Sequence, residues 1–204
     1  MIRALKLAAT FAALALGLAA YAGPKQMEPA TSAPPVPSAE LAVVEIMRPS
    51  NYGGAIRAAV FDATDSEPKL LGILTPKMKI VAVVPPGKRL FMIIGENADF
   101  MEADLTAGKT YHAIAIARMG AWKARFSLIP LKRTPEEVEF TLNGPKMKEW
   151  SRVCKYVTMT PVATQWYTEH RPSVLEKLKS YSAKWAEVSD ATKKGKTLQP
   201  EDGE

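Results

Sequence analysis

The chain has 204 residues, of which 47% are hydrophobic and 24% charged, with a net charge of +6 and one cysteine. That length allows one or two small domains with a core of ordinary size. The modest, scattered charge excludes the dense basic face that nucleic-acid binding needs, and a single Cys154 excludes a disulfide within the chain.

Residues 1–22 read as an export leader. Arg3 and Lys6 precede an apolar run over 7–18 that is too short to span a bilayer, and Ala20-Tyr21-Ala22 supplies small residues for a signal peptidase. Cleavage is expected before Gly23; an uncleaved anchor is the alternative. Loss of Arg3 and Lys6 lowers the net charge from +6 to +4. Tyr21 stands where a lipoprotein leader needs cysteine, so the mature chain is expected without a lipid or a transmembrane helix. The expected destination is the periplasm, with secretion as second choice. Residues 23–40 hold Pro24, Pro29, Pro34, Pro35 and Pro37 and read as an extended spacer.

Residues 41–131 read as an antiparallel β-sandwich. Strands are predicted over 41–47, 55–61, 70–74, 80–84, 88–94, 100–105, 110–118 and 123–131, with turn residues between them and no helical period. The run 88–94 is apolar on both faces and is expected to be a central strand. In 111–118, Ala113, Ala115 and Ala117 share one face and Ile114 and Ile116 the other, and the small face is expected to receive a helix. The loop from Arg48 to Gly54 is rich in chain-breaking residues, and Arg48, Asn51 and Tyr52 are its candidates for polar recognition.

Residues 132–190 read as a helical extension. Thr134-Pro135-Glu136-Glu137 has the form of a capping box, and Asn143-Gly144-Pro145 would end the short helix it opens. A second helix is predicted over 146–157. A third runs from Pro161 towards Glu169, and a break at Pro172 separates it from an amphipathic helix over 172–189. Trp150, Trp166, Tyr167, Tyr181 and Trp185 make this region aromatic-rich. Core packing accounts for them by default; the sharper reading is a patch for a partner, with Trp166 and Trp185 at its centre. The polar residues 191–204 are expected to be disordered.

No hydrolase, P-loop or metalloprotease motif occurs. Cys154, His112 and His170 could form a thiol–imidazole pair or a zinc site only by spatial accident, since their spacing matches neither chemistry. No catalytic, metal or cofactor residue is therefore assigned.

Val84-Pro85-Pro86-Gly87-Lys88 and Ala107-Gly108-Lys109-Thr110-Tyr111 each place Gly-Lys immediately before a strand. A repeated turn followed by a strand, with no helix to present N–H groups, is sheet geometry and not an anion cradle. These turns, with Arg48-Pro49-Ser50-Asn51 and Leu71-Gly72, resemble a domain of unknown function found in bacterial envelope proteins, many of them lipoproteins. The resemblance covers about residues 41–131. It implies a β-sandwich and export, and it carries no catalytic residue. The function expected is that of a non-enzymatic exported protein with an envelope protein or surface as partner. The alternative is a binding protein that holds a lipid or glycan between sheet and helices.

Overall fold

The computed structural model describes residues 25–118 and 125–204. The expected leader lies outside the described residues, as do the first two positions of the strand expected at 123–131. In chain order the elements are β1 (Met27–Pro29), β2 (Ala42–Arg48), β3 (Ala58–Asp62), β4 (Lys69–Leu74), β5 (Met78–Val84), β6 (Gly87–Ile94), β7 (Ala98–Leu105), β8 (Thr110–Arg118) and β9 (Arg125–Pro130). A 3₁₀ turn (Val138–Phe140) then leads to α1 (Pro145–Val153), β10 (Lys155–Met159), α2 (Pro161–Ala186), α3 (Asp190–Gly195), β11 (Thr197–Leu198) and a second 3₁₀ turn (Pro200–Asp202).

The fold is mainly β, a sandwich of two sheets with a C-terminal helical extension. One sheet has the order β1-β10-β5-β2-β8-β9, the other β11-β7-β6-β3-β4. Most pairs are antiparallel, but β2 runs parallel to β8, β10 to β5 and β11 to β7. The parallel pairs arise where the chain visits the opposite sheet or a helix before returning.

Strand alternation sets the layers. Val44 and Ile46 of β2 face the inside with Phe91 and Ile93 of β6, and all four are buried. β6 lies between β3 and β7, as its two apolar faces require. Each large apolar side chain buried here contributes about 2 kcal/mol. Gly87 and Gly108 sit at φ 94° and 78°, so both Gly-Lys turns use the left-handed conformation that glycine permits.

Arg48 is 1% exposed and belongs to this interior. Its guanidinium donates to the carbonyls of Gly53, Ile56 and Leu74 at 2.7, 2.7 and 2.9 Å and lies over the Phe126 ring. It therefore ties the 48–54 loop to the core and is unavailable for recognition.

Four local expectations are corrected. The small face of β8 meets the opposite sheet: Ala113 and Ala115 join the inner core. It is the other face, at Ile114, that receives helix α1, together with Met47, Phe140, Met147 and Cys154. No helix starts at Thr134, because Phe140 and Leu142 fold back onto Lys132. α1 ends at Val153, and Lys155–Met159 is a strand, since Val157 is needed under the edge of the sheet. Pro172 does not divide the helix. α2 passes straight through it because Ala163 and Tyr167 before it and Val174, Leu178 and Trp185 after it lie on one face against β3, β4 and β7. The loss of one intrahelical N–H at the exposed Pro172 is offset by that continuous burial.

The spacer and the tail are also ordered in part. Met27 is buried and β1 pairs with β10. At the other end, Leu198 is fully buried and pairs with Ala103. Asp202, 2% exposed, accepts the backbone N–H of Arg133 and of Gln199 at 2.9 and 2.8 Å. Gly203 crosses so near Tyr111 that a Cβ would lie 2.6 Å from the ring. Residues 190–204 thus form a strap across one end of the sandwich.

Candidate functional site

α2 covers the outer face of the five-stranded sheet and stops at Ala186, before the sheet does. The uncovered corner is a cleft of about 690 Å³ between β6, β7, the end of α2 and the strap. That volume suits a small ligand.

Its walls follow from the alternation of the strands. Lys88, Leu90 and Met92 of β6 point to the helix-covered face, opposite Asp104, Glu102 and Phe100 of β7. Met92 and Phe100 lie under α2, and the Lys88–Asp104 position falls beyond its end. Ser189 begins the other wall. Its hydroxyl accepts the N–H of Thr192 at 3.3 Å, which caps α3 and places Asp190 in its first turn and Lys193 and Lys194 in its last. Trp185 closes the side: its Nε1 donates to Glu102 at 2.9 Å, and its ring packs on Phe100 with centroids 6.0 Å apart.

The charges divide into two groups. Glu102 is held by Trp185, and Lys193 Nζ donates to the carbonyl of Ala186 at 3.1 Å. Among the described residues, the Lys88 and Lys194 ammoniums and the Asp104 and Asp190 carboxylates have no hydrogen-bond or ion-pair partner in the chain. Two cations and two anions therefore share one cleft without pairing.

A second cleft of about 500 Å³ lies on the other side of α3, lined by Asp99, Arg118, Lys132, Glu136 and Lys196. There Lys196 pairs with Asp99 and Lys132 donates to the carbonyl of Lys194, while among the described residues Arg118 and Glu136 close no ion pair.

A polar cluster also occupies the outer face of the six-stranded sheet. Glu45 of β2 lies beside His112 of β8, its carboxylate 3.4 Å from Nδ1, and Lys79 of β5 reaches it at 2.9 Å. Glu204 approaches His112 Nε2 at 3.2 Å and accepts from Asn143 at 2.6 Å. Burial pushes the Glu45 carboxyl up, but hydrogen bonds from His112 and Lys79, with the Lys79 and His112 charges, outweigh it and leave the pKa lowered.

Of the candidate recognition residues Arg48, Asn51, Tyr52, Trp166 and Trp185, only Trp185 borders the open cleft. Trp166 packs against the core and stacks on His170 at 4.7 Å. Asn51 and Tyr52 remain exposed on their loop, Tyr52 at 47%, far in sequence and fold from the cleft. Cys154 is buried, which pushes its thiol up to about 11, and no hydrogen bond joins it to either histidine. Among the described residues no group of three or more His, Cys, Asp and Glu side chains could hold a metal ion, and no helix is long and apolar enough to cross a membrane.

Sequence reasoning missed Asp104, Asp190 and Lys194, and it set Lys88 aside as part of a sheet turn. Two signals were present: charges continuing the outward register of Leu90 and Met92, and the Ser189-Asp190-Ala191-Thr192 start of a capped helix. No protein-family model and no curated protein matches this chain.

Proposed function

We propose that this is an exported, non-enzymatic binding protein whose ligand occupies the cleft between the five-stranded sheet, the end of α2 and α3. The observation that carries the reading is the cleft itself: about 690 Å³, bordered by Trp185, with charges unmatched by the protein. The charged side chains that line it beside Leu90, Ala103 and Trp185 favour a polar, charged ligand over a lipid. Export is supported by the leader-like residues 1–22 and by the resemblance of the Gly-Lys turns to an envelope domain.

The reading in which the protein recognises an envelope partner through an aromatic patch is weakened. Trp166 and Trp185 pack on the core and Arg48 is interior, which leaves the exposed Asn51 and Tyr52 as its support.

Native mass spectrometry of the chain gently purified from a periplasmic extract tests the ligand reading. The expected result is an adduct of small-molecule mass that Lys194→Glu removes. A clean mass of the bare chain in every preparation would sink it.

A further inference from the structure

Resting on the cleft as the ligand site, we infer that its ligand is a small zwitterion, with a free ammonium and a free carboxylate as in a short peptide. The sheet wall presents Lys88 and Asp104, directly opposite each other in the β6–β7 register. The helix wall presents Asp190 and Lys194 at opposite ends of α3. Each wall therefore carries both signs. None of the four closes an ion pair within the chain, although opposite charges share the same cavity.

Elsewhere, where opposite charges meet, several of them pair within the chain. Lys196 pairs with Asp99, Arg89 with Asp62, Lys79 with Glu45 and Arg171 with Glu67. Charges that line the same cavity and remain apart are complementary to a ligand that brings both opposite charges with it. A purely anionic ligand would leave Asp104 and Asp190 facing like charge, and a purely cationic one would do the same to Lys88 and Lys194. The apolar strip of Leu90 and the Trp185 edge can take the uncharged middle of such a molecule.

The probe is trialanine with free termini, compared with N-acetyl-trialanine amide, in which both charges are removed and the backbone is kept. Binding is read by NMR from the amide signals of Leu90 and Lys194 and the Trp185 indole N–H. Free trialanine is expected to shift these signals saturably, and the blocked peptide to bind at least tenfold more weakly. Lys194→Gln and Asp104→Asn, which change only side-chain groups without a hydrogen bond or ion pair in the chain, should each weaken binding about threefold to fivefold with the melting temperature unchanged. Equal binding of the blocked peptide would overturn the zwitterion while leaving the cleft as the ligand site. No shift from free trialanine at millimolar concentration would also overturn it, and the bound mass in native spectrometry then decides the cleft reading by itself.

Discussion

The two outer faces of the sandwich meet the same problem and solve it differently. Each is covered by helix over part of its area. On the six-stranded sheet, α1 and the Val138–Phe140 turn bury Met47 and Ile114, and beyond them the face turns polar at Glu45, Lys79 and His112. That polar part is closed by the chain itself, through Glu204, Asn143 and the pairing of Glu204 with Thr110. On the five-stranded sheet, α2 buries Phe61, Met92 and Phe100, and the face beyond it also turns polar, at Lys88 and Asp104. There the strap passes alongside and leaves a cleft. A polar gap filled by the chain is part of the fold; a polar gap left unfilled is where a second molecule can be bound.

The sharpest way to break this contrast is to remove the strap. Deleting residues 196–204 takes away the buried Leu198, the Asp202 carboxylate that accepts the Arg133 N–H and the cover over His112. Summed losses of about 4 kcal/mol or more are expected, seen as a large drop in the denaturation midpoint. A midpoint within the error of the full chain would mean that the strap is an ornament of the fold.

Trp185→Ala tests the other face. It removes the ring contact with Phe100 and leaves Glu102 without its donor, so a loss of about 2–3 kcal/mol is expected by urea unfolding. An unchanged midpoint would show that α2 needs no anchor at its end.

The filled face should also depend on pH. Glu45 has a folded pKa below its ordinary 4.5. Its ionised form therefore adds stability above about 4.5, and that stability is lost as pH falls through the lower folded value. Glu45→Gln should flatten the pH dependence of the unfolding midpoint in that acid range. If wild type and variant lose stability in parallel there, the carboxylate is not contributing through its charge.

The smallest effect is expected in the open cleft. Lys88→Gln and Asp104→Asn remove charges that have no partner in the chain, so each should change stability by less than about 0.5 kcal/mol. A larger loss by either would mean the cleft is held together by those charges and belongs to the fold after all.

Much of the sandwich was legible because its signals are local. Two-sided apolarity marked β6 as central, and Gly87 and Gly108 marked turns whose positive φ the structure contains. Part of the site was legible too, since Trp185 was singled out, although as part of a patch and not as a cleft wall. Arg48 was misread, because a cation beside a Gly-rich loop looks exposed until the three carbonyls that receive it are known.

By itself, then, the sequence determined the class of fold, the central strand and the glycine turns, because alternation and φ are properties of a few neighbouring residues. Only the tertiary structure decided that Pro172 lies inside one helix, that 155–159 is a strand and that residues 190–204 are ordered. In each case a local preference was outweighed by distant burial: Val174 against the sheet, Val157 under its edge, Leu198 beside β7. The cleft belongs to the same class of fact. It exists because a helix from one part of the chain ends short of a sheet from another, and no segment of sequence carries that length difference.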